Sequence, residues 1–249
     1  MKRVLIVGVG SIGERHLRCF GQTGRCELSF VEVNPTLRAT VADRYRVTAT
    51  YAQLDDALAH ASFNVAVVCT PAPWHIPQAR QLVARGVDVL IEKPLSTSLD
   101  GVESLIAEVE AAGRTAAVAY VYRVHPLLSV VRDALRSGRF GAPVELVAVT
   151  GQHFPFYRPA YRSIYYTKHE TGGGAIQDAL THILNAAEWL VGPIDRLVVD
   201  AEHQVLEGVE VEDTVHLLAR HGRVQASYSL NQHQAPNEFT LTVVCERGT

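Results

Sequence analysis

The chain has 249 residues, of which 47% are hydrophobic and 20% charged, and its formal charge is −3. That length suffices for one large or two modest globular domains with a real core, and the composition excludes a disordered chain. Without a basic block, nucleic acid and anionic membrane surfaces are excluded as partners, and no apolar run approaches the roughly 20 residues of a membrane span. Lys2 and Arg3 before VLIVGVG imitate the start of a signal peptide, but Glu14 and Arg15 interrupt the run and no small-residue cleavage site follows. The four cysteines, Cys19, Cys26, Cys69 and Cys245, are scattered without metal or redox spacing, which predicts a reduced, cytoplasmic protein with no metal.

Short apolar strands are predicted at 4–7, 28–32, 65–69, 87–91 and 116–120. Helical stretches lie between them, near 12–22, 35–45, 52–60, 74–85 and 99–112. Near-continuous apolar strands separated by helices predict a parallel sheet covered on both faces. From about residue 124 the pattern changes to a helix (126–137), a strand (143–151), an irregular aromatic segment (152–172) and a strong helix (174–191). The remainder reads as strands, ending in the alternating Phe239, Leu241, Val243 and Cys245. Two domains follow, an α/β domain over 1–122 and an α+β domain with an open, mainly antiparallel sheet over 123–249.

Strand one runs into Gly8-Val9-Gly10-Ser11-Ile12-Gly13, a G-x-G-x-x-G between a strand and a helix. The first glycine suits the tight turn, the second close approach of backbone to a pyrophosphate, and the third close packing of helix on strand. Glu32 ends the second strand, 19 residues after Gly13, where an acid binds ribose hydroxyls. A Rossmann-type dinucleotide site is therefore expected. A carboxylate at Glu32 repels a 2′-phosphate, which favours NAD over NADP, although Arg38 lies six residues on.

Of the 23 basic residues only Lys2, Lys93 and Lys168 are lysine, so a retained lysine points to lysine's own chemistry. Lys93 follows the strand expected at 87–91 in Glu92-Lys93-Pro94, at the sheet edge where open parallel sheets bind ligands. Pro94 restricts the backbone before it and so fixes the lysine's direction. On the helix after the triple glycine, Ile176, Leu180, Ile183, Leu184, Ala187, Leu190 and Val191 form an apolar face. Asp178, His182, Asn185 and Trp189 share the opposite stripe, which reads as the wall of a cleft, with Asp178 and His182 one turn apart. A surface Asp–His contact, or metal binding with His153 and His169, are the rival readings of that pair. The segment HFPFYRPAYRSIYYTKH holds six of the 18 aromatics, three cations (Arg158, Arg162, Lys168) and no acid. It reads either as a docking loop or as a recognition element for a sugar-like substrate with an anionic group.

Together these motifs resemble the Gfo/Idh/MocA family of NAD(P)-dependent oxidoreductases, through GVGSIGERH, CTPAPWH, EKP, the Arg123…Pro126 junction and GGGAIQDALTHILNAAEWLVG. The resemblance implies a dehydrogenase moving a hydride between NAD(P) and a secondary alcohol or ketone of a sugar, sugar derivative or cyclitol. It implies catalytic roles for Lys93, Asp178 and His182. Cofactor contacts would come from Gly8, Gly10, Ser11, Ile12, Gly13, Glu32, Thr70, Pro71, His75, Glu92 and Lys93. Substrate contacts would come from Lys93, Arg123, Arg158, Tyr161, Arg162, Asp178 and His182. His182 is the expected base, Asp178 the group that orients the substrate hydroxyl or sets the histidine's charge, and Lys93 the donor to the reacting oxygen. The family also includes non-catalytic cofactor-binding regulators, the alternative reading. Relatives usually continue beyond the point corresponding to Thr249, so a shortened carboxyl end is expected to leave an unpaired strand edge or an uncovered apolar face. Self-association through the carboxyl-terminal sheet is predicted on that ground.

Overall fold

In the computed structural model, which describes residues 1–249, the chain folds as two units, Met1–Ala119 and Tyr120–Thr249. In the first unit the strands are β1 (Lys2–Val7), β2 (Cys26–Val31), β3 (Thr50–Tyr51), β4 (Val65–Val68), β5 (Asp88–Ile91) and β6 (Ala116–Val118). They form one parallel sheet in the order β3-β2-β1-β4-β5-β6. Helices α1 (Ser11–Gln22), α2 (Pro35–Tyr45), α3 (Leu54–His60), α4 (His75–Val83) and α5 (Val102–Ala111) connect them. The apolar runs are continuous because both faces are buried. Leu5 and Val7 of β1 join one core with α3, α4 and α5, while Val4 and Ile6 join a second with α1 and α2. Each of these four side chains is at most 2% exposed, which contributes about 1.5–3 kcal/mol apiece. Local signals set the helix ends. Asn34 accepts from the N–H groups of Thr36 and Leu37, and Pro35 opens α2 without needing a donor. The two-residue β3 escapes sequence reading because it has no pattern of its own, and the strand expected at 116–120 ends at Val118.

The second unit holds α6 (Pro126–Arg136), β7 (Pro143–Gly151), the single turn α7 (Phe154–Tyr157), a run of 3₁₀ turns, and α8 (Thr181–Val191). Four strands follow: β8 (Arg196–Glu202), β9 (Thr214–His221), β10 (Val224–Asn231) and β11 (Glu238–Cys245). Their sheet runs β11-β7-β10-β9-β8, antiparallel except for the parallel pair β7–β10. One face packs Leu146, Ala148, Leu217, Ala226 and Val243 against Leu180, Ile183 and Ala187. The other face is open: Val198 is 68% and Leu218 65% exposed. No helix is long and apolar enough to cross a membrane.

Candidate functional site

In the first unit the glycine loop leaves β1 and enters α1 as its spacing predicts. A Cβ on Gly13 would overlap the carbonyl oxygen of Gly8, so only glycine lets the helix start this close to the turn. Nothing lies within 4 Å of the corresponding position on Gly10, and Gly10 caps α1 without any side-chain bond. A helix start with open backbone on that side is a cradle for phosphate oxygens. Glu32 is 9% exposed; its Oε2 accepts from the Val9 N–H (3.1 Å) and its Oε1 from the Asn34 N–H (2.9 Å). The acid thus fixes the glycine loop, and the remaining lone pairs of its oxygens suit ribose hydroxyls. Arg38 donates from Nη1 to the Glu32 carbonyl oxygen at 2.6 Å. These residues fit a bound dinucleotide.

Thr70, Pro71, Glu92 and Lys93 lie at the same carboxyl edge, after β4 and β5. Glu92 is 8% exposed; its Oε1 lies 2.6 Å from His16 Nε2, and its Oε2 accepts from the Lys93 N–H at 3.2 Å. The first turns of α1 are therefore tied to the strand end that presents Lys93. The Lys93–Pro94 bond is cis. His75 departs from expectation as a cofactor contact. Its ring is 1% exposed, with Nδ1 2.9 Å from the Pro94 carbonyl oxygen and Nε2 2.7 Å from that of Thr70. A ring buried between two loops offers no atom to a dinucleotide; His75 instead braces the loops on which Thr70 and Lys93 sit. Neither His16 nor this bracing role follows from sequence spacing.

In the second unit the helix expected over 174–191 begins with a π-turn, Ile176–Leu180, before regular α8. The wider turn rotates Asp178 inward, where its side chain is 3% exposed. Arg158 Nη1 donates to its Oδ2 and the Tyr165 hydroxyl to its Oδ1, each at 2.6 Å. Burial and the Asp178 carboxylate push the Tyr165 phenol well above its ordinary value, so it stays a neutral donor. Burial opposes the charge on Arg158, but Asp178 and Tyr165 together raise the guanidinium. His182 is half-buried between Tyr120, edge-on with centroids 5.8 Å apart, and Tyr122 at 5.7 Å. Tyr120 also hydrogen-bonds the Thr181 hydroxyl at 2.8 Å.

The expected stripe does not form one cleft wall. Asn185 accepts from Arg123 Nε at 2.8 Å, and Trp189 lies under the Arg132 guanidinium at 4.3 Å. Both serve packing against the first helical segments of the unit. The aromatic segment packs as in its docking-loop reading, whereas the substrate contact expected of Tyr161 does not fit its position. Tyr161 is 1% exposed, donates to the Glu207 carbonyl oxygen and packs with Phe154, Tyr166, Leu206, Val209 and Val211, so it cannot reach a substrate. Arg162 turns to the Tyr161 hydroxyl and Glu207. His169 pairs with Glu212 at 2.5 Å, whose other oxygen accepts from the Ile176 N–H at the helix start. No group of three or more acidic, histidine or cysteine side chains is placed to hold a metal ion.

Residues 2–120 match the model of an oxidoreductase family with an NAD-binding Rossmann fold, and residues 129–249 match the GFO/IDH/MocA C-terminal domain. The chain belongs to the Gfo/Idh/MocA oxidoreductase family. It is 28% identical over 193 residues to D-xylose 1-dehydrogenase (NADP(+)) 2 of Haloferax volcanii, covering 77% of this chain and 58% of that one. It is 28% identical over 223 residues to an inositol 2-dehydrogenase of Acidothermus cellulolyticus, covering 88% and 62%. The chain thus spans about three-fifths of the length of these relatives. The solved WlbA dehydrogenase of Bordetella pertussis, in complex with NADH and UDP-GlcNAcA, superposes with a TM-score of 0.88 at 26% identity, over 98% of this chain and 75% of that chain.

Proposed function

We propose that this chain is an NAD-dependent dehydrogenase acting on a secondary alcohol or ketone of a sugar, sugar derivative or cyclitol. The observation that carries the reading is Asp178, a carboxylate buried on a π-turn between two donors and one short helical step before His182. Proteins rarely keep such a buried charge for stability, and it is common where chemistry needs it. In the oxidative direction His182 takes the hydroxyl proton, Asp178 accepts from that hydroxyl and orients it, and the Lys93 ammonium donates to the oxygen as negative charge develops. Bound NAD supplies the acceptor for the hydride that leaves the same carbon. Glu32, with Gly10 and the start of α1, would hold the dinucleotide.

Finer features belong to the same proposal. NAD is preferred over NADP because Glu32 meets the ribose, although the xylose dehydrogenase relative is named for NADP and Arg38 stands close by. An anionic or nucleotide-linked sugar is favoured by Arg123 and by the UDP-GlcNAcA bound to the WlbA neighbour. The first unit, Met1–Ala119, would serve the dinucleotide and supply Lys93, and the second, Tyr120–Thr249, would serve the substrate and self-association, the latter through the open sheet face. The four unbridged thiols suit a reducing compartment, the cytoplasm. The test is NADH formation on adding sugars, nucleotide sugars and inositols with NAD. Lys93→Met should turn over none of them, and a Lys93→Met protein with wild-type kcat would overturn the mechanism.

A further inference from the structure

The sequence suggests that the arginines between residues 153 and 169 face the substrate, yet Arg158 is directed at Asp178 and shares it with Tyr165. Each donor takes a different oxygen of the carboxylate, so its plane is fixed as well as its position. The segment carrying both donors is itself firmly seated. Phe154, Tyr161 and Tyr166 are each at most 2% exposed in one aromatic cluster, and Arg158 lies over the Phe154 ring at 5.1 Å. At the other end of the segment a Cβ on Gly173 would overlap the Tyr166 carbonyl oxygen, so the segment is pressed directly against the start of the helix that bears Asp178.

We propose that Tyr165 and Arg158 are positioning residues for Asp178: they hold both its oxygens in one orientation, so that it acts as a fixed acceptor and leaves proton transfer to His182. This rests on the dehydrogenase reading above and adds what holds Asp178 in the orienting role given to it there. A carboxylate already receiving a phenol and a guanidinium is a poor base, and its fixed lone pairs are suited to orienting a hydroxyl. The aromatic segment is then a buttress for the Asp178 carboxylate more than a recognition loop.

The test has two arms. A urea-unfolding cycle of Tyr165→Phe and Asp178→Asn, singly and together, reads the contact without any activity. Coupling of about fivefold or more in the unfolding equilibrium is expected, and additivity overturns the proposal. In turnover, Tyr165→Phe is expected to lower kcat about tenfold with substrate KM and NADH affinity kept. Arg158→Ala should lose more, Arg158→Lys should recover part, and added guanidinium should partly restore Arg158→Ala. Unchanged kcat in Tyr165→Phe overturns the proposal, as does a rise in KM alone in Arg158→Ala, which would make Arg158 a direct substrate ligand. If the wild type turns over no sugar while the unfolding coupling is present, the dehydrogenase reading fails and the proposed role fails with it, leaving only a structural contact.

Discussion

Just after β2, Glu32 accepts from two backbone N–H groups, and in the proposed function it would meet the ribose. A 2′-phosphate there would bring a doubly charged group against a buried carboxylate, a cost that one neighbouring arginine does not fully offset. Fluorescence titration should therefore give NADH at least about tenfold tighter binding than NADPH, or roughly 1.4 kcal/mol. Tighter NADPH would contradict this and make Arg38 the deciding residue. Glu32 and the glycines are legible in the sequence because their chemistry depends on spacing along a few local elements. Tyr161 and Arg162 are not, because composition identifies an aromatic, basic segment without giving the direction of any side chain in it. Tyr165 gives no signal, since an irregular segment carries no period that links it to Asp178, thirteen residues on.

The loops after β4 and β5 depend on His75, whose ring lies between their two carbonyl groups. His75→Leu would remove this bridge between the two loops, at about 1–3 kcal/mol. We expect a lower melting temperature and an NADH Kd raised several-fold; an unchanged Kd would show that the brace does not reach the cofactor loops. In the second unit Asp213 is fully buried at the start of β9. Burial alone would raise its carboxyl, but the N–H groups of Leu206, Val205 and Gln204 and the Thr214 hydroxyl hold it below its ordinary value. A depressed folded value means stability that is complete above the unfolded value of about 4 and is lost as pH falls through the folded one. Thermal melts from pH 6 downward should show this loss in the wild type, and Asp213→Asn should be less stable at pH 7 by about 2 kcal/mol with a shallower acid decline. Equal acid slopes would rule the contribution out. The helix bearing Asp178 is legible in extent but not in its π-turn, which is set by packing at its start, where Glu212 and Tyr166 meet the chain.

The two-unit organisation can be read from the sequence because the hydrophobic pattern changes character near residue 124. The order β11-β7-β10-β9-β8 cannot, since β7 pairs in parallel with a strand some eighty residues later and no local signal records that register. The outer face of this sheet forms a shallow apolar hollow lined by Val147, Val149, Val198 and Leu218, with His216 and Asp200 beside them. Such a face attracts a partner of similar character, and self-association is expected. Light scattering should give a dimer or larger species that Leu218→Arg converts to monomer; a wild-type monomer at high concentration would exclude this use of the face.

Oxidation of a sugar-like secondary alcohol with NAD is the central claim. The direct measurement is NADH absorbance after mixing the 249-residue chain with NAD and a panel of sugars, nucleotide sugars and inositols. Catalytic NADH formation with at least one of them is predicted, abolished by Lys93→Met and strongly reduced by His182→Asn. Tight NADH binding with no turnover of any member of the panel would contradict the claim, and would identify a cofactor-binding protein without this chemistry.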